Sequence, residues 1–71
     1  MKIIYDPKVD AIYFRFSRGK KEVTTQRLTE DIAVNYGRHG EVIGIEVLSA
    51  SEHLSFSGKV PKIEIKNMRI V

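Results

Sequence analysis

The sequence predicts a mainly β protein, a β-rich α+β fold built as an antiparallel meander of about five or six short strands with one short helix. Three observations lead there. The dominant hydrophobic period is two rather than 3.6. Turn-forming residues recur at short intervals between the alternating stretches. The gaps are too short for a helical crossover, so neighbouring strands are expected to run antiparallel.

Lys2–Tyr5 is apolar enough for an opening strand. Asp6-Pro7-Lys8-Val9-Asp10 then places Asp and Pro at the first two positions of a turn, an order that a type I turn favours. From Ala11 to Ser17, Ile12, Phe14 and Phe16 alternate with Tyr13, Arg15 and Ser17, as a half-buried strand requires. Gly19 supplies a left-handed position for the next turn, and Val23, Thr24 and Thr25 favour a strand over Glu22–Leu28. Ile32, Val34 and Tyr36 alternate with Ala33 and Asn35, and Gly37-Arg38-His39-Gly40 is the clearest hairpin signal in the chain. Ile43, Ile45 and Val47 form the next alternating set. Gly44 within it implies close approach of another backbone or ring, or a bulge. Ser49-Ala50-Ser51-Glu52 has capping-box spacing and predicts a short helix ending before Gly58. Pro61 opens a final strand through Ile63 and Ile65, and the change of parity at Met68 and Ile70 predicts a bulge near Asn67 or a tail over the core.

The chain of 71 residues is read as a single domain, 1–71. A domain of this size buries only about 60% of its unfolded surface. With no cysteine it has no disulfide or thiolate metal site, which leaves oligomerisation as the usual means of adding stability. No apolar run approaches a membrane span, and Asp6 interrupts the opening segment before a secretory signal develops. The expectation is a cytoplasmic protein without cofactor or membrane partner. Abundant Lys, Arg and Glu with one Gln and two Asn hint at a heat-adapted source.

The net charge of +3 is unevenly spread. Arg15, Arg18, Lys20, Lys21 and Arg27 face one acid, Glu22, within a single stretch, whereas Glu30, Asp31, Glu41, Glu46 and Glu52 face Arg38 alone. Lysine-rich loops and edges are ordinarily solvated guards. The same five cations are the candidate contacts for nucleic acid or a protein partner. Tyr13 beside Arg15 is a single outward aromatic, fewer than a stacking module ordinarily exposes.

Catalytic chemistry has little to work with. His39 and His53 lack a second His or Asp at ligand spacing on the same element, and so no metal site is expected. Asp6 and Asp10 bracket the first turn, where bonding to backbone amides is the simpler role. Glu30 and Asp31 are adjacent, so alternation sends them to opposite faces. Ser49, Ser51, Ser55 and Ser57 have no nucleophile elbow around them. No catalytic residue is expected.

Tyr5-Asp6-Pro7, Asp10-Ala11-Ile12-Tyr13 and Ser17 resemble the opening of the small prokaryotic family called domain of unknown function 2283. Ile32-Ala33-Val34-Asn35-Tyr36, a glycine turn and Val42-Ile43-Gly44-Ile45-Glu46-Val47-Leu48-Ser49-Ala50-Ser51 resemble its second half. The resemblance covers positions 5 to 54, and implies a short β-rich domain with no assigned activity. Family members usually carry an acid after Leu48 and an acidic hairpin tip, where this chain has Ser49 and Gly37-Arg38-His39-Gly40. Some are similar in size and gene context to antitoxin partners of small toxins, which adds a protein partner as a further alternative.

The motif also implies a hydrogen-bonded corner of Tyr5, Asp6, Asp10 and Tyr13. Ile4, Leu28, Val42 and Leu48, with Gly44, give the sheet apolar surface on its second face. The function expected is therefore a non-enzymatic, homo-oligomerising interaction module, a dimer joined by sheet packing, with nucleic-acid binding or an antitoxin-like partnership as alternatives.

Overall fold

The alternating stretches become a five-stranded antiparallel sheet in the computed structural model, which describes residues 1–18 and 23–64. The strands are β1 (Lys2–Asp6), β2 (Ala11–Arg15), β3 (Thr24–Arg27), β4 (Ile32–Tyr36) and β5 (Val42–Val47). A short helix, α1 (Ala50–His53), and a small hairpin of β6 (Phe56–Ser57) and β7 (Val60–Pro61) follow. The sheet order is β1-β2-β5-β4-β3. Thus β1–β2 and β3–β4–β5 each follow the expected hairpin order, and the two units join through β2 and β5 instead of β2 and β3.

Register explains this choice. One face aligns Tyr5, Ile12, Val47 and Ile32 in one row, and Ile3, Phe14, Ile45 and Val34 in the next. Pairing β2 with β5 therefore sets apolar against apolar. The residues of β3, Thr24–Arg27, are all exposed and offer β2 no such match. Ile12, 1% exposed, sits at the centre of this face with Val47 and Ala50, and Leu54 and Phe56 pack over them from α1 and β6. The Phe56 ring meets Tyr5 edge-on at 5.3 Å, which pins the small hairpin to β1.

Strand ends depart from expectation for local reasons. β2 stops at Arg15 because the amides of Phe16 and Ser17 both converge on the Ile43 carbonyl, at 2.7 and 3.2 Å. That carbonyl lies at a register shift between β4 and β5, where Tyr36 pairs with Val42. The Gly37–Gly40 hairpin forms as expected, with Gly40 at φ 81°. The expected final strand through Ile63 is replaced by the β6–β7 hairpin, turning at Gly58 with φ 64°. Pro61 has no N–H and fits only such an edge. Ile65, Asn67, Met68 and Ile70 lie outside the described residues, as do Gly19, Lys20, Lys21 and Glu22.

Candidate functional site

The first turn and the helix meet at Asp10. Asp10 is itself left-handed, φ 52°, which turns its carboxylate back toward α1. Its Oδ1 accepts from the Tyr5 hydroxyl at 2.9 Å. Ser51 donates twice, through its amide at 3.1 Å to Oδ1 and its hydroxyl at 2.6 Å to Oδ2. The Asp10 carbonyl accepts from Ala50 N at 2.8 Å. Asp6 Oδ1 accepts from Lys8 N, closing the turn itself.

The capping box is therefore not formed. Ser49 stands at the N-cap with φ 50° and makes no side-chain cap bond, its left-handed backbone departing from the extended conformation that a capping side chain requires. Asp10, at the start of β2 beside the end of β5, supplies the cap instead, satisfying an amide that the helix leaves unpaired. The Ser51 hydroxyl bond is the largest influence holding the Asp10 carboxyl below the usual carboxylate range, opposed by partial desolvation and assisted by Tyr5. Partial desolvation, then the bond to Asp10 and its charge, push the Tyr5 hydroxyl up.

Tyr13 does not belong to this corner. Alternation places it on the opposite face from Ile12, in a row with Ile4, Glu46, Ala33 and Arg27. Its hydroxyl accepts from Asn35 Nδ2 at 3.0 Å, and Asn35 Oδ1 in turn accepts from Thr25 Oγ1 at 2.8 Å. Asn35 lies two strands from Tyr13, about 10 Å across the sheet. The phenol reaches it by lying down over β5, and Gly44 is the residue beneath: a Cβ there would meet Tyr13 Cζ at 2.5 Å and the Phe14 carbonyl at 2.7 Å. The close approach expected at Gly44 is this ring.

The second face is consequently polar at its centre. Arg27 Nη2 lies 3.7 Å from Glu46 Oε1 across Ala33, and Arg27 Nη1 donates to the Glu30 carbonyl at 3.0 Å. Gly44 is covered and makes no apolar contact surface. Ile4 and Leu28, 43% and 55% exposed, lie at opposite edges of the sheet; Val42 is exposed beside the register shift, and Leu48 is half-buried at the end of β5. These five residues do not form one patch.

The five basic candidates are also divided. Arg15 ends β2 and Arg18 follows it, whereas Arg27 is engaged on β3, three strands away; Lys20 and Lys21 lie outside the described residues. Sequence reading missed Lys2, which sits directly opposite Arg15. His53 Nε2 is 2.8 Å from Asp31 Oδ2, tying α1 to the start of β4, while His39 is exposed at the hairpin tip. No cluster of three metal-ligating side chains occurs among the described residues. No helix among them is long and apolar enough to cross a membrane.

Comparison with known families adds one finding. The model of a family described as a protein of unknown function, DUF2283, matches residues 2–51. The chain belongs to the DUF2283 family. The match takes in all five strands of the main sheet and closes on Ser51, the residue that Asp10 grips. The β6–β7 hairpin of this DUF2283 chain falls beyond it. No curated protein and no solved structure matches the chain.

Proposed function

We propose that this DUF2283 protein is a non-enzymatic interaction module that homo-oligomerises, as a dimer, through the outer edge of β3. The observation that carries this reading is the edge itself. Every residue of β3 is exposed, and Val23 and Leu28, 45% and 55% exposed, flank it. Edge strands ordinarily carry a guard of lysine, proline or an inward charge. Thr24–Arg27 has no proline or lysine, and its one charge, Arg27, is drawn sideways to Glu46.

The Leu28 amide bonds to the Ile32 carbonyl of the neighbouring strand. Alternation then points the Thr25 and Arg27 backbone groups outward, where a second copy adds its own β3. A thin core favours such an addition, since the buried apolar residues among those described are Ile12, Ala33, Val34, Ile43, Val47 and Ala50. A non-enzymatic role is supported by Asp10, whose carboxylate is taken up by Tyr5 and Ser51. The reading places the module in the cytoplasm of a prokaryotic, heat-adapted source, where a cysteine-free chain forgoes no covalent stabilisation.

The test is light scattering behind size exclusion on wild type and Thr25→Pro. Proline at position 25 removes an outward amide and leaves the bonds to β4 intact, so the dimer is expected to become a monomer with unchanged far-UV dichroism. A wild type that is strictly monomeric at micromolar concentration sinks the proposal.

A further inference from the structure

The open face of the sheet holds a second arrangement, away from the β3 edge. Lys2 and Arg15 stand directly opposite one another across β1 and β2. Like charges in that position destabilise a sheet when nothing lies between them. Arg18 follows at the end of the strand, and Met1, Lys2, Arg15, Phe16, Ser17 and Arg18 line an open cavity of about 200 Å³. Among the described residues, none of the three cations forms an ion pair.

Tyr13 lies beside this cluster on the same face. Its inner side rests on Gly44 and its hydroxyl is held by Asn35, so the ring is laid flat and fixed. It remains half-buried, so part of the ring is accessible. Two residues of strand, about 6.8 Å, separate Tyr13 from Arg15, a span that one nucleotide bridges between base and phosphate. Glu46, directly opposite Tyr13 and paired with Arg27, repels a phosphate from the other direction and leaves the Lys2–Arg15 end as the favourable one.

We propose that this face binds single-stranded nucleic acid, with a base stacked on Tyr13 and the adjoining phosphates held by Lys2, Arg15 and Arg18. Stacking on a fixed ring tolerates any base, and three cations without carboxylate partners among the described residues supply the charge. The surface is separate from the β3 edge, so binding and dimerisation fail or survive independently.

Anisotropy of fluorescein-labelled oligo-dT and oligo-U ten-mers tests it. Three phosphate contacts on a single strand predict about 20-fold weaker binding on going from 50 to 200 mM salt. Lys2→Glu and Arg15→Glu are each expected to weaken binding about tenfold or more, whereas a Lys59→Glu, Lys62→Glu double variant leaves it unchanged. Tyr13→Ser is expected to lose about tenfold, and Tyr13→Phe, which keeps the stacking ring but gives up its bond to Asn35, to lose clearly less than Tyr13→Ser. Competition by uridine monophosphate that exceeds competition by equal inorganic phosphate supports the stacked base. No binding at 50 mM salt, indifference to Arg15→Glu, or equal competition by the two phosphates overturns the proposal.

Discussion

Replacing Gly44 by alanine adds one methyl group at the most crowded point of the open face. Gly44 does not have a positive φ, so alanine is acceptable to the backbone, and relief of glycine's chain entropy alone would stabilise by about 0.5–1 kcal/mol. Contact decides the opposite sign. The new Cβ falls 2.5 Å from Tyr13 Cζ and 2.7 Å from the Phe14 carbonyl, both well inside van der Waals distance. Overpacking of this kind costs about 1–3 kcal/mol. Lifting the ring also breaks the Asn35–Tyr13 hydrogen bond, about 1 kcal/mol more. The net expectation is a loss of about 2–3 kcal/mol, or roughly 10–20 °C in Tm for a domain of this size. Urea denaturation followed by far-UV dichroism measures it, since the chain has no tryptophan. Tyr13→Ser removes the ring, so Gly44→Ala should cost at least about 1 kcal/mol less in that background, with the Phe14 contact as the residue of the effect. Additivity of the two changes to within about 0.5 kcal/mol would refute the reading of Tyr13 lying over Gly44.

Further expectations follow from the Asp10 junction and the helix entry. Because the folded state lowers the Asp10 pKa, its contribution is present above the unfolded value near 3.9 and is lost as pH falls through the lower folded one. Asp10→Asn should therefore flatten the acid limb of a Tm–pH profile below about pH 4; an unchanged limb would rule the carboxylate out. Tyr5 has the reverse sign: its raised folded pKa contributes stability below about pH 10 that disappears as pH climbs through the folded value, and Tyr5→Phe should remove that alkaline decline. Ser49 sits at φ 50° without a cap bond, so Ser49→Gly is expected to stabilise by about 0.5–1 kcal/mol, visible as a Tm rise of a few degrees. A lower Tm would mean that the Ser49 side chain has a contact outweighing its backbone strain.

What could be read in the chain and what could not divide along the range of the interactions. Ile12, Phe14 and the Ile43–Val47 set announced their strands because period-two alternation is local and one face is buried. The Gly37–Gly40 turn was equally local. Gly44 and Tyr13 each carry a local signal, a glycine within an apolar strand and an outward aromatic. Joining them needed the register of β2 on β5, which no window of the sequence contains. The helix cap misled for the same reason: Ser49 and Glu52 have the right spacing, but Asp10, 41 residues before Ser51, reached the amide instead. Val42, Leu48, Ile4 and Leu28 are dispersed for the same reason, since their count in the sequence carries no information on which strands stand at the two edges. Family membership was legible because those same local segments carry the matching residues.

The order β1-β2-β5-β4-β3 also bears on how the chain reaches its fold. Two of its parts, the β1–β2 hairpin and the β3–β4–β5 ribbon, need only neighbouring residues to meet. The seam between β2 and β5 instead pairs positions roughly thirty residues apart, from Ile12 with Val47 to Arg15 with Gly44. Closing that loop costs more entropy than closing either local turn, and the cost comes before the apolar rows on either side can repay it. Asp10 and Ser51 stand at the same end of the seam and fasten it once closed. The topology predicts that docking of β1–β2 onto β3–β4–β5 is the slow event in folding and that the polar junction mainly slows unfolding, so Asp10→Asn is expected to speed unfolding more than it slows folding.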